Sequence, residues 1–133
     1  MASPTAPRSA TTPQELNSIF KVLLEAGDLD GLLTLYEENA VLVAGPDQLA
    51  TGHAQIRDGL APFVGMQAKI TFESAAVAYA GDIALVHAKW TGAGTTPEGP
   101  LELAGTTSEV VRRQADGTWK YLIDDPGFGV TAP

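Results

Sequence analysis

The chain has 133 residues, of which 44 % are apolar and 18 % are charged, a length and composition that indicate one globular domain and exclude a wholly disordered chain. The net charge is −8, and the basic residues are scattered apart from the adjacent pair Arg112 and Arg113. This distribution excludes the clustered positive charge that binds nucleic acid, and it disfavours contact with an anionic membrane.

The chain contains no cysteine, so disulfides and thiol chemistry are excluded. We expect a cytoplasmic protein, because the first residues lack the order of a secretory signal and no apolar run has the length of a membrane span. The segment from Met1 to Thr11 is rich in Ala, Ser, Thr and Pro, and it predicts a flexible tail. The remaining residues, 12–133, are predicted to form a single domain.

The start of the domain has the signals of a helix. Thr12 and Glu15 are spaced as a capping box, and Pro13 suits the first helical position. Apolar residues then recur at helical spacing until Gly27, a residue type that commonly ends helices.

Two further helices and a short strand are predicted next. Asp28 opens a second helix that we expect to continue to Asn39, and residues 40–44 form the strand. A turn follows at residues 45–47. The third helix is predicted over residues 54–64.

The second half of the chain is predicted to be a meander of strands. The expected strands contain Ile70 and Phe72, then Val77 and Tyr79, then residues 83–91, 101–114 and 119–125, with a Gly, Thr and Pro-rich loop at residues 92–100. Helices gathered before an antiparallel meander predict an α+β domain. Because the helices cover one face of a curved sheet, we expect a cavity between the two layers.

Several segments resemble the nuclear transport factor two-like (NTF2-like) superfamily, which includes ketosteroid isomerases and SnoaL-like polyketide cyclases. The segments are residues 26–42, Gly52, Ile56 and Phe63, and the run Asp116-Gly117-Thr118-Trp119. The ending from Trp119 to Pro126 is similar to the SgcJ/EcaC subgroup, which occurs in bacterial enediyne and other polyketide pathways. The resemblance covers roughly residues 13–129. It implies a cone-shaped, curved antiparallel sheet packed against about three N-terminal helices around an apolar cavity.

The resemblance also implies where a ketosteroid isomerase would carry its tyrosine, its aspartate base and its protonated acid. These positions fall on Phe20, Ala44 and Glu109. Phenylalanine has no hydroxyl to donate and alanine accepts no proton, so only Glu109 keeps a carboxyl group. Steroid isomerisation by the known mechanism is therefore not expected.

Glu109 is the first catalytic candidate. It lies in the middle of a predicted strand, with Thr107 and Val111 on the same face. Inside the cavity, burial would raise its pKa and let it act as an acid or base near neutral pH. On the opposite face it would be an ordinary solvated glutamate, and the strand register decides between the two.

Asp125 and His53 are the other catalytic candidates. Asp124 and Asp125 point to opposite faces of the last strand, so one of them could enter the cavity mouth, or the pair could cap the turn at Pro126. His53 precedes the third helix and is either a general base at the cavity edge or a polar residue beside a helix start. With two histidines and no cysteine, no metal site is predicted, and no cofactor is expected.

Large side chains are candidates for the wall of the cavity, although residues of this kind more often form plain core. The predicted substrate-binding residues are Phe20, Tyr36, Ala44, Phe63, Trp90 and Trp119.

Three functions are compatible with these features of the sequence. The first is an acid/base enzyme (a cyclase, isomerase or hydratase) acting on an apolar polyketide or enediyne intermediate, with Glu109 and either Asp125 or His53 moving protons. The second is a protein that binds, carries or sequesters such a molecule without changing it. The third is a dimeric protein-interaction module. The resemblance implies a homodimer through the open face of the sheet, where the predicted surface residues are His87, Lys89, Arg112 and Lys120.

Overall fold

The computed structural model describes residues 9–45, 47–73 and 75–127. Three helices are present: α1 (Pro13–Glu25), α2 (Leu29–Leu33) and α3 (Gly52–Gly65). The strands are β1 (Tyr36–Gly45), β2 (Gln48–Thr51), β3 (Lys69–Phe72), β4 (Ala76–Ala80), β5 (Ile83–Thr96), β6 (Gly99–Arg113) and β7 (Trp119–Asp125). None of the helices in the described part of the chain is long and apolar enough to cross a membrane.

The strands form one curved, unclosed sheet in the order β2-β1-β7-β6-β5-β3, and β4 also pairs with β5. All neighbouring strands are antiparallel except β1 and β7, which run parallel. Helix α1 packs against β3 and β7, and α3 packs against β1 and β2. The helices therefore cover one face of the sheet, which confirms the predicted α+β fold with its curved sheet.

The predicted start of α1 is confirmed. The backbone nitrogen of Glu15 donates to Oγ1 of Thr12, and the Glu15 carboxylate accepts from the backbone nitrogen of Thr12 at 3.0 Å. Most of the predicted tail lies outside the described residues. Its end belongs to the fold, since Ala10 is fully buried and forms a bridge with Trp119.

The predicted length of the second helix is wrong. Helix α2 ends at Leu33, and Tyr36 begins strand β1, where it pairs with Tyr121 of β7. Leu29, Leu32, Leu33 and Tyr36 do recur at helical spacing, but the buried Tyr36 is held by the sheet. Strand β2, which pairs with β1, was not predicted. Tertiary pairing here outweighs the local helical pattern.

The predicted loop at residues 92–100 is also wrong. Strand β5 continues to Thr96 and β6 begins at Gly99. The two strands pair without a register shift, from the Ile83–Arg112 pair at one end to the Thr96–Gly99 pair at the other. The glycine content that suggested a loop has a packing reason. A Cβ atom at Gly94 would lie 2.7 Å from the Met66 side chain, so only glycine allows Met66 to pack against this strand.

The uncovered face of the sheet carries an apolar row that we call the outer stripe: Leu85, Val110, Ile123 and Val41. These four residues are successive cross-strand partners on β5, β6, β7 and β1. Leu85 and Ile123 are each 41 % exposed. Their chain neighbours face the helices, so the outer stripe lies on the opposite side of the sheet from the core.

Candidate functional site

A cavity of about 80 Å³ lies between the helices and the sheet. One water needs roughly 10–15 Å³ by the same kind of measure, so the space accepts several waters or a small molecule. The wall is mostly apolar. The apolar side chains that line it come from α1, α3 and the strands and include Phe20, Leu42, Ala44, Leu60, Phe63, Ile70, Phe72, Trp90 and Leu103.

Two carboxyl groups, Glu109 and Asp124, interrupt this apolar wall. They are direct cross-strand partners on β6 and β7, and their side chains are on the helix-covered face. Directly opposed residues of an antiparallel pair have Cβ atoms about 4.5–5.5 Å apart. Glu109 is 3 % exposed and Asp124 is 6 % exposed, so the two groups share one desolvated pocket.

Hydrogen-bond donors hold both carboxyl groups in place. Thr107 Oγ1 donates to Glu109 Oε2 at 2.8 Å, and the Tyr36 hydroxyl donates to Asp124 Oδ2 at 2.5 Å. Asn17 also contacts Glu109: with its amide nitrogen toward the carboxyl group, it donates to Oε2 and Oε1 at 3.0 and 3.1 Å. Among the described residues no donor reaches Asp124 Oδ1, which leaves this oxygen free to accept from a molecule in the cavity.

The environment separates the acidities of the two carboxyl groups. Burial raises the pKa of Asp124 from 3.8 to about 6, against the hydrogen bond from Tyr36, which lowers it. Burial and the nearby charge of Asp124 raise the pKa of Glu109 well above its usual value, against the hydrogen bonds from Thr107 and Asn17. Of the two groups, Asp124 is therefore the one that ionises first as the pH rises, and Glu109 is the one that keeps its proton longer. One pocket then presents a base and an acid side by side.

Two tyrosines support the polar end of the cavity. The rings of Tyr36 and Tyr121 lie 4.9 Å apart, and Phe20 meets Tyr121 edge-on at 6.4 Å. Burial raises the pKa of both tyrosines well above 10, and the charges of Asp124 and Glu109 add to the effect. Both hydroxyls therefore stay protonated and act as hydrogen-bond donors or acceptors rather than as bases.

Five of the residues singled out from the sequence line the cavity: Phe20, Ala44, Phe63, Trp90 and Glu109. The three positions located by counting from the ketosteroid isomerase pattern, Phe20, Ala44 and Glu109, thus meet in one space. Tyr36 is fully buried and contacts the site through Asp124. Trp119 packs elsewhere, with its ring 6.1 Å from that of Tyr79.

The other two catalytic candidates have structural contacts. Asp125 Oδ1 accepts from the backbone nitrogen of Gly127 at 2.9 Å, which is the turn-capping arrangement, and its chain neighbour Asp124 lies in the cavity wall. His53 is half-buried at the start of α3, where its Nε2 lies 2.9 Å from the backbone oxygen of Tyr36. A carbonyl oxygen only accepts, so this ring nitrogen is the donor and carries a proton.

Asn17, Thr107 and Tyr121 were not predicted as site residues. Thr107 had a signal, because it shares a strand face with Glu109 two residues away. Asn17 is a single polar residue beside the buried Leu16 and Ile19, and a buried amide needs partners. The partners of Asn17 and Tyr121 come from distant parts of the chain, so spacing alone does not reveal them. Among the described residues, no cluster of three or more His, Asp or Glu side chains could hold a metal ion.

A family model for the SnoaL-like domain matches residues 18–122, which is most of the chain. The chain belongs to the SnoaL-like domain family. This assignment agrees with the NTF2-like resemblance, whereas the narrower SgcJ/EcaC subgroup stays a prediction. A search of curated proteins finds no match to this SnoaL-like domain.

Solved structures share the fold at low sequence identity. An NTF2-like superfamily protein from Salmonella enterica serovar Typhimurium is 12 % identical, with a TM-score of 0.76 and 90 % of each chain covered. A candidate scytalone dehydratase from Novosphingobium aromaticivorans is 16 % identical, with a TM-score of 0.74 and coverage of 84 % of this chain and 77 % of the other. A candidate dehydratase of the NTF2-like family from Streptomyces avermitilis is 17 % identical, with a TM-score of 0.72 and coverage of 84 % and 89 %. At these identities the likeness shows the fold alone.

Proposed function

We propose that this SnoaL-like domain is an acid/base enzyme that acts on a small apolar molecule in the cavity. The observation that carries the proposal is the buried pair of Glu109 and Asp124, the two carboxyl groups of a mostly apolar wall. Structural carboxylates are usually solvated or paired with a cation, because burying a charge is costly. Among the described residues no cation is a hydrogen-bond partner of this buried pair, so the pair destabilises the fold. Function is a sufficient reason to keep it.

Each carboxyl group has a separate role in this mechanism. Asp124 removes a proton from a carbon or oxygen of the substrate through its free Oδ1, and Glu109 donates its proton to the oxygen at which negative charge or a leaving hydroxyl develops. The proton taken by Asp124 then returns to Glu109, directly or through water, and the pair is restored. No cofactor takes part in the proposed steps. Isomerisation, cyclisation, dehydration and hydration all need one acid and one base arranged in this way.

Among these reactions we favour elimination or addition of water. Two solved structures with the same fold are named as candidate dehydratases, although their identity to this chain is below 20 %. The mostly apolar wall also suits an elimination, because it offers few polar groups that would hold water beside the acid and the base. Following the similarity of residues 119–126 to the SgcJ/EcaC subgroup, we propose that the substrate is an apolar intermediate of bacterial polyketide or enediyne biosynthesis.

The test has two stages. First, apolar polyenes, aromatic polyketides and steroids are screened by thermal shift, where a ligand at a hundredfold excess over its Kd adds about 2.7 kcal/mol to the free energy of unfolding. Binding ligands are then incubated with the protein, and products are followed by mass spectrometry. Replacing Glu109→Gln or Asp124→Asn should lower turnover by roughly 10²–10⁴-fold, the usual contribution of a general acid or base. Glu102→Gln alters a solvent-exposed carboxyl group of the same strand and is the matched control.

Two further variants test the other catalytic candidates predicted from the sequence. Asp125→Asn and His53→Ala should lower turnover much less than Glu109→Gln or Asp124→Asn does. If turnover survives both Glu109→Gln and Asp124→Asn, the mechanism is refuted. A wild-type protein that binds its ligand tightly and returns it unchanged would establish the alternative function of a binding or carrier protein. One feature favours that alternative: Phe20 and Ala44 occupy the positions at which ketosteroid isomerases carry their tyrosine and base.

We also propose a homodimer that buries the outer stripe. A contiguous exposed apolar row is unusual on a monomer surface and marks an interaction site. A two-fold dimer pairs one patch with itself, which suits a row that crosses four strands of one sheet. Sedimentation analysis should find a dimer for the wild type and a monomer for Ile123→Glu. The control Leu101→Glu alters an apolar residue of similar exposure outside the outer stripe and should leave the mass in solution at that of a dimer. A wild-type protein that is monomeric at tens of micromolar would overturn the proposal.

A further inference from the structure

Helix α1 places a polar side chain among buried apolar neighbours, next to the Glu109 carboxyl group. Asn17 is 5 % exposed and lies next to Leu16 on the buried face of the helix. Its side chain is 2.7 Å from the Tyr121 hydroxyl and about 3 Å from both oxygens of Glu109. An isolated buried amide costs several kcal/mol, so these contacts are what allow it to remain there.

The orientation of the Asn17 amide follows from its surroundings. With the amide oxygen toward an ionised Glu109, the oxygen would face the acceptors of the carboxylate and the nitrogen at the other end would face only donors. The opposite orientation satisfies both ends, and the nitrogen then donates to Glu109 and to the Tyr121 hydroxyl oxygen. Thr107 donates to Oε2 of the same carboxyl group. Oε2 therefore accepts from two donors and Oε1 from the amide alone, so Oε1 is the oxygen better placed to carry the acidic proton.

We propose that Asn17 is a positioning residue of the carboxyl pair: its side-chain amide fixes the orientation of the Glu109 carboxyl group and keeps the roles of Glu109 and Asp124 distinct. The two groups are held from opposite sides. Asn17 and Thr107 contact Glu109, whereas Tyr36 contacts Asp124. Without Asn17, the Glu109 carboxyl group keeps one donor and can rotate, so its proton is no longer presented from a single oxygen.

Few other titratable groups face this corner of the cavity. Asp124, Tyr36 and Tyr121 are the ones from β1 and β7, and α3 contributes apolar side chains such as Phe63. Lys69, from β3, lines the cavity but is itself exposed to solvent. A change in the titration of Glu109 after substitution of Asn17 is therefore attributable to the lost amide contact.

The experiment compares wild type with Asn17→Leu, which removes the amide at similar volume. The side-chain carboxyl carbons are labelled with ¹³C, and the titrations of Glu109 and Asp124 are followed by NMR in the full chain. Because the amide stabilises the ionised carboxylate, its loss should move the Glu109 titration upward by about one pH unit. The Asp124 titration, which precedes that of Glu109, should stay within a few tenths of a pH unit of its wild-type value.

A control separates this effect from simple loss of packing. Leu16→Ala makes a cavity in the same buried face of α1 without touching a carboxyl group, and it should destabilise the protein while leaving both titrations in place. The proposal is overturned if Asn17→Leu leaves the Glu109 titration unchanged. It is also overturned if the Glu109 titration moves downward, which is the result expected when the amide oxygen accepts from a protonated Glu109. If Asn17→Leu does not fold, Asn17→Ala, which removes the amide without adding a charge, gives the same reading.

The catalytic part of the inference rests on the proposed acid/base function. In a bell-shaped profile of kcat/KM against pH, the alkaline limb reports loss of the Glu109 proton and should move upward in Asn17→Leu, while the acid limb stays. The NMR titration needs no substrate. If the Glu109 titration moves upward but no turnover is measurable, the positioning role of Asn17 is supported and the enzymatic function is refuted. If turnover is measured but the titrations do not move, the enzymatic function is supported and the positioning role is refuted.

Discussion

Asp124→Asn should stabilise this protein, and by an amount that depends on pH. The pKa of Asp124 rises from 3.8 to about 6 on folding. Because one pH unit corresponds to about 1.4 kcal/mol, this rise represents about 3 kcal/mol of preference for the protonated form. The folded protein binds this proton more tightly than the unfolded chain does. The stabilisation that the bound proton gives to the folded state is therefore fully present below pH 3.8 and is lost as the pH rises through 6.

The Asp124→Asn variant has no proton to lose, and its amide oxygen can still accept from Tyr36. The free energies of unfolding of the two proteins, measured by urea denaturation, should be nearly equal at pH 4 or below. Above pH 6.5 the variant should be more stable by up to about 3 kcal/mol. Carboxylates far from the site are common to both proteins and cancel in the comparison, whereas Glu109, whose pKa the Asp124 charge raises, adds to the difference in the same direction. A difference that is flat with pH, or a variant that loses stability relative to wild type as the pH rises, would refute the reasoning that Asp124 is buried without a compensating charge.

Two further predictions concern the contacts around the site. Tyr36→Phe removes the hydrogen bond that lowers the pKa of Asp124, so the Asp124 titration followed by NMR should move to higher pH; an unmoved titration would show that the bond is not formed in solution. Gly105→Ala places a Cβ atom 2.7 Å from the backbone oxygen of Pro126 and should cost about 1–3 kcal/mol in urea denaturation. Gly65→Ala, which meets nothing within 4 Å, is its control, and equal effects of the two alanines would contradict the packing at Pro126.

The sequence predicted well where the signal is local. The capping box at Thr12 and Glu15, the glycine that follows α1 and the turn at residues 115–117 all depend on neighbours within a few positions. Prediction failed where pairing across the chain decides the structure. Tyr36 has helical spacing but belongs to β1, because β7 offers it a parallel partner far along the chain.

The site was predictable in part for the same reason. Counting from family landmarks singled out Glu109, which lines the cavity, but it left open which face of the sheet carries this residue. The choice between Asp124 and Asp125 depended on a register that only the folded sheet fixes, and β7 carries an irregularity just before them. The role of Asn17 was not predictable, because its partners Glu109 and Tyr121 follow it by more than ninety residues.

The position of β7 in the sheet has a consequence for how the protein is made. This strand is the last of the seven in chain order, yet it lies between β1 and β6. Until a ribosome has released it, neither β1 nor β2 has a strand partner among β3–β6, and helix α1 lacks one of the strands on which it packs. Folding therefore waits for a closure of long sequence separation, which is a slow kind of step. Asp124 arrives on that same strand, so the polar end of the cavity is assembled in the event that completes the sheet.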